Sequence, residues 1–131
     1  MDALPDALLD LLRAPSPCFI ATVQPDGSPH LTQTWVTTDG EHVVINTVEG
    51  YRKTRNVEAD PRVSVAVADP DDTSRYFSVV GRVVERTTDG AAAEIDELSQ
   101  KYLGRPYPGF GGGRVRVTLR IAVDQVIHSP W

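Results

Sequence analysis

The chain has 131 residues, enough for one domain of ordinary size and too few for two. Hydrophobic residues make up 40% and charged residues 24%, a globular balance that excludes wholesale disorder. A formal net charge of -5 argues against a general nucleic-acid binder, because affinity for a phosphate backbone depends on clustered positive charge.

The N-terminal MDALPDALLDLLRAP lacks a basic start and an uninterrupted apolar core, so no signal peptide is expected. No apolar run approaches the roughly 20 residues a membrane helix needs, and the expected location is cytoplasmic, with no membrane partner. Within this opening, Leu4, Leu8, Leu11 and Leu12 recur at helical spacing and Pro5 suits a first turn. That predicts an amphipathic helix over 5–13, stopped by Pro15 and Pro17. Cys18 to Val23 reads as a strand. The lone Cys18, flanked by Phe19 and Ile20, is expected to be a buried structural thiol. Pro25-Asp26-Gly27-Ser28 is turn chemistry, and Leu31 to Thr37 is the expected partner strand. Asp39-Gly40 then leads into a strand over His42 to Thr47, making this half an antiparallel meander.

Residues 50–58 are polar and short, consistent with one or two helical turns before Pro61. Arg62 to Ala68 is a β-branched strand, and Pro70-Asp71-Asp72 a turn. Tyr76 to Glu85 is a longer strand in which Gly81 marks a bulge or a close backbone approach. Ala91 to Tyr102 is the strongest helix, with Ile95, Leu98 and Tyr102 on one face. GRPYPGFGGG, residues 104–113, is too rich in Gly and Pro for regular structure and reads as a connector or a flap over a site. Val115 to Val126 alternates apolar and polar residues as a last strand. Short antiparallel strands with two or three helices suit a small barrel or an open sheet.

The chemistry concentrates between Val43 and Val67. Two β-branched strands there frame Arg52, Lys53 and Arg55, and donors held on a rigid scaffold are suited to a small phosphorylated ligand. Thr47 could add a hydroxyl donor. By pattern alone, RKTR is more simply a solvated basic face. No nucleophile elbow, phosphate loop or metal-ligand spacing accompanies it, and His30, His42 and His128 are scattered. Such a chain fits either redox chemistry carried by a bound cofactor or a binding module that turns nothing over.

The run Asn46-Thr47, Gly50, Arg52-Lys53, Asn56, Asp60-Pro61-Arg62-Val63-Ser64 resembles the flavin-binding segment of the pyridoxamine 5'-phosphate oxidase-like split-barrel proteins. The likeness extends upstream through Ser28-Pro29-His30 to Trp35-Val36, and loosely downstream to Arg86. It implies a mainly β, six- to seven-stranded antiparallel split barrel with two or three short helices. It also implies a phosphate grip by Arg52 and Lys53, with Arg55 less firmly assigned and Asn46 and Thr47 beside them. The strand through Gln33, Thr34 and Trp35 would run along the cofactor ring mainly by backbone contacts, although for Trp35 taken alone core packing is the expected role. Tyr107 and Phe110 are candidates for the far side of the ring. The resemblance further implies a homodimer with shared cofactor sites, for which Trp35, Tyr76, Phe77, Tyr107 and Phe110 offer apolar surface.

True pyridoxamine phosphate oxidases carry a C-terminal segment of substrate-binding Trp and Arg residues, and an Arg where this chain has Leu31. The sequence lacks both, which implies a reaction other than vitamin B6 oxidation. NTVEGYRKTRN and NVEADPRVSV resemble the actinobacterial deazaflavin-dependent branch instead, implying coenzyme F420 as cofactor, FMN as the alternative, and hydride transfer with a small organic substrate.

Overall fold

A computed structural model describes residues 3–109 and 113–128. The elements follow in the order α1 (Asp6–Arg13), β1 (Cys18–Val23), β2 (Pro29–Thr34), β3 (Val36–Thr38), β4 (Val43–Val48), α2 (Arg52–Ala59), β5 (Arg62–Ala68), β6 (Tyr76–Thr87), α3 (Ala91–Leu103) and β7 (Arg116–His128). All seven strands join one antiparallel sheet, in the order β2-β1-β5-β6-β7-β4-β3. The sheet curls into a half-barrel whose concave face is filled by β-branched side chains. Ile20, Val43, Ile45, Val65, Val67, Val79, Val117, Leu119 and Ile121 are all at most 1% exposed. Leu8 and Leu12, spaced to share one face of α1, close one end of this core. As expected, Cys18 is fully buried, and burial pushes its thiol pKa up to about 12.

The predicted strand over 31–37 requires a correction. It breaks at Trp35 into β2 and β3, which lie at opposite edges of the sheet. The meander is therefore interrupted, and a single residue links the two edges. Nothing in the local sequence forces this corner, since 31–37 holds neither Gly nor Pro. It is held from α3: the Val36 amide donates to Tyr102 Oη at 3.2 Å, Tyr102 Oη donates to the Ser16 carbonyl at 2.7 Å, and Lys101 Nζ donates to the carbonyls of Val36 and Leu12. Backbone groups that leave the ladder at the corner thus find partners elsewhere, as buried polar groups must.

Gly81 does mark both a bulge and a close approach. The β6–β7 register shifts between Val80 and Gly81, and a Cβ at Gly81 would stand 2.3 Å from the Ala122 carbonyl oxygen.

Candidate functional site

β4 is buried along its whole length, because one face lines the barrel core and the other is covered. Where it runs beside the corner at Trp35, the first turn of α2 and the aromatic face of α3, the surface opens into a cavity of about 540 Å³. That volume suits a small organic ligand. Its wall is aromatic. Trp35 stacks on Tyr102 with ring centroids 5.3 Å apart and planes at 9°, and Tyr107 meets Trp35 edge-on at 6.3 Å. The expectation that Trp35 packs in the core is corrected here: it is half-buried and faces the cavity, because the strand break turns it away from the barrel interior.

Two cations, Lys53 and Arg116, line the same cavity, and none of its lining residues is acidic. Burial and then the neighbouring Arg116 guanidinium push the Lys53 ammonium pKa down, while among the described residues Lys53 Nζ finds only the Thr32 hydroxyl, at 3.3 Å. Two positive groups held together without a carboxylate favour an anionic ligand, since an anion relieves both the repulsion and the desolvation.

Arg116 is the residue that sequence reasoning missed. Its place on the alternating strand β7 gives no local signal, and only the pairing of β7 with β4 brings it to the cavity. It is fixed there by a polar clamp. Asn46 Oδ1 accepts from Arg116 Nε at 2.8 Å, and Asn46 Nδ2 donates to the Ala91 carbonyl at 2.8 Å and to Glu94 Oε1 at 3.0 Å. Thr118 donates to the same Glu94 oxygen at 2.9 Å, and the guanidinium sits 5.3 Å over the Tyr107 ring. Asn46 is therefore engaged in positioning Arg116.

Of the other residues singled out by sequence, Gln33, Thr34 and Thr47 line the cavity, with the Thr47 hydroxyl 3.3 Å from that of Thr54. As terminal strands, β2 and β3 each present a row of backbone N–H and C=O groups unpaired by the sheet, a source of contacts for ring heteroatoms. Arg52 and Arg55 do not share the cavity with Lys53. Neighbours on a helix point about 100° apart, and Arg52 faces a separate cleft with Arg55, its Nη1 donating to Gln24 Oε1 at 2.7 Å. Tyr107 lines the cavity. Phe110 lies outside the described residues, as do 111 and 112 of the glycine-rich segment.

No curated protein matches the chain. The family model for pyridoxamine 5'-phosphate oxidase matches residues 4–129. Among solved structures, an F420 reductase is similar at 30% identity and a TM-score of 0.80, over 95% of this chain and 98% of that one. The conserved hypothetical protein Rv2991 from Mycobacterium tuberculosis is similar at 25% identity and 0.72, over 95% and 84%. General Stress Protein 26 from Bacillus anthracis shares the fold at 19% identity and 0.67, over 91% and 88%.

Proposed function

The chain belongs to the pyridoxamine 5'-phosphate oxidase family, and from that premise we propose that it is an oxidoreductase that binds coenzyme F420 and passes hydride between it and a small organic substrate. The observation that carries this reading is the aromatic-walled cavity holding Lys53 and Arg116 with no acidic lining residue. The similarity to an F420 reductase along nearly the whole of both chains supports F420 over FMN.

The residues fit such a ligand. Trp35, with Tyr102 stacked behind it, offers a flat apolar wall for a tricyclic ring and keeps water from that face. Lys53 and Arg116 would hold the phosphate, Lys as a compact charge and Arg as a planar fork. Gln33, Thr34 and the free backbone row of β2 would orient the ring heteroatoms. The bound deazaflavin supplies the hydride chemistry, so the chain needs no acid, base or nucleophile of its own. We further propose that it acts in the cytoplasm on a substrate other than pyridoxamine phosphate. Among the described residues, no helix is long and apolar enough to cross a membrane.

The reading includes a homodimer. Of the residues the sequence offered, Trp35 and Tyr107 line the cavity and Phe77 packs on the core, while Tyr76 shares the outward face of β6 with Ser78. Phe19, Leu31, Val80 and Ile127, 36–66% exposed, share one outward face of β2, β1, β5, β6 and β7. Between them lie Ala21, Gln33, Ser64, Ala66, Ser78 and Gln125, so no charge separates them, and Arg62 and Arg82 stand at one end of the face. Gln33 belongs both to this face and to the cavity, so a second copy seated on the face would reach the cavity mouth. Sedimentation at micromolar concentration should give a dimer, and Leu31→Glu should give a monomer; a monomeric parent protein would remove the shared site.

The test of the main reading is an equilibrium titration of F420 and of FMN against the parent protein, Lys53→Ala and Arg116→Ala. F420 should bind, and each variant should weaken it about 10- to 100-fold, the worth of a charge-assisted hydrogen bond of about 1.5–3 kcal/mol. FMN binding more tightly would reassign the cofactor. Binding unaffected by either substitution would refute the phosphate assignment.

A further inference from the structure

Beside the cavity, and sharing Ile95, Tyr107 and Arg116 with it, lies a side pocket of about 260 Å³ that reaches Ala92, Asp96 and Arg114. It is smaller than the roughly 300 Å³ at which small-molecule sites begin, so it serves as an annex of the cavity. The partition between the two is Tyr107, backed by the Arg116 guanidinium 5.3 Å over its ring.

The sequence makes that partition stiff. Tyr107 stands between Pro106 and Pro108. Each proline fixes its own φ and keeps the residue before it extended, so Arg105 and Tyr107 have little backbone freedom. Two side chains one turn apart on α3 pin the same run. The buried Ser99 hydroxyl donates to the Arg105 carbonyl at 2.7 Å, and Asp96 Oδ1 accepts from the Tyr107 amide at 3.1 Å. The ring is thereby set edge-on to Trp35 at 6.3 Å and face-on to Arg116, and turning it about its own side-chain bonds would cost both contacts. Arg116 keeps its place without Tyr107, because Asn46 also holds its Nε.

We propose that Tyr107 determines specificity by limiting the substrate to an uncharged, planar conjugated ring system short enough to end at its side chain. This rests on the reading that the cavity holds the cofactor ring beside the substrate. Once Lys53 and Arg116 hold the phosphate, the part of the cavity left for the substrate is apolar and aromatic, walled by Trp35, Ile95, Tyr102 and Tyr107. A longer molecule would have to pass Tyr107 into the side pocket. The charges there are engaged, Asp96 by the Tyr107 amide and Arg114 by the Tyr51 hydroxyl, so the space that Tyr107 closes off suits an uncharged group.

The experiment compares two acceptors, menadione and its analogue with phenyl in place of the methyl group, on the full-length parent, Tyr107→Phe and Tyr107→Ala. Each quinone takes one hydride from reduced F420 and one proton from water to give the hydroquinone. With reduced F420 saturating, the parent should favour menadione in kcat/KM by about tenfold or more, the discrimination a closed apolar wall gives. Tyr107→Phe should keep that preference and Tyr107→Ala should cut it about tenfold. Quenching of tryptophan fluorescence measures the binding of the same quinones without cofactor. There Tyr107→Ala should tighten the phenyl analogue relative to menadione, because the merged hollows bury the added ring. Failure of F420 to bind would sink the cofactor reading alone, and the fluorescence ratio would then decide on Tyr107. A parent that turns over both quinones equally overturns the proposal, as does an unchanged ratio in Tyr107→Ala. An equal shift in Tyr107→Phe would assign the effect to the hydroxyl and overturn it too. Tyr107 lies outside the core and outside every helix and strand, so its substitution does not threaten folding.

Discussion

Replacing Gly81 with Ala should destabilise the protein severely for one added carbon. The new Cβ would lie 2.3 Å from the Ala122 carbonyl oxygen, 3.2 Å from its carbon and 3.1 Å from Ile121 Cγ2. Carbon and oxygen rarely approach closer than about 3.3 Å, so β6 and β7 would have to separate by about 1 Å. β7 cannot yield easily, because it is paired on its other side with β4 and its residues Ile121, Ala122 and Val123 are all buried. Overpacking of this kind costs about 1–3 kcal/mol. Loss of one or two ladder hydrogen bonds adds about 1 kcal/mol each. The reduced entropy of the unfolded chain returns up to about 1 kcal/mol. The expected net loss is about 2–4 kcal/mol, a fall in Tm of roughly 8–15 °C for a chain of this length. Guanidinium and thermal melts followed by circular dichroism would measure it. Gly27→Ala serves as control: its site is open and its cost is the left-handed φ of 89° alone, about 1–2 kcal/mol. A Gly81→Ala melt within about 3 °C of the parent would refute the close-approach argument.

Two further outcomes follow from buried polar groups. The Cys18 thiol ionises at 9.0 when unfolded and at about 12 in the native protein, so its stabilising contribution is complete below pH 9 and is lost as pH rises through 12. At about 1.4 kcal/mol per unit this reaches about 4 kcal/mol. Tyr102, raised to about 12 by burial, acts in the same direction above pH 10, whereas Lys101, lowered to about 8 by burial, adds stability between pH 8 and 10.5. Cys18→Ala removes only the first of these, so denaturation midpoints should show the variant gaining on the parent above pH 9; a constant gap from pH 8 to 11 would contradict this. Asn46→Ala should cost about 1–3 kcal/mol by leaving Arg116 Nε unpartnered, and should also weaken F420 binding. A double-mutant cycle with Arg116→Ala that shows no coupling in F420 binding would separate Asn46 from the site.

Much of the fold is readable from local pattern. β-branched runs and turn residues mark the strands because the period of two and the positive φ of Gly act over a few residues. The leucine spacing of α1, the bulge at Gly81 and the burial of Cys18 are legible for the same reason. The corner at Trp35 is not, because residues 31–37 alternate without a breaker and the force that bends them comes from Lys101 and Tyr102, more than 60 residues away. The site divides in the same way. Motif places Arg52 and Lys53 side by side in sequence, but helical geometry sends them to different hollows, and strand pairing supplies Arg116 to the cavity in place of Arg52. Sequence determined which side chains carry charge and which strands form; only the tertiary structure decided which charges meet, because that depends on contacts between residues that local pattern cannot relate.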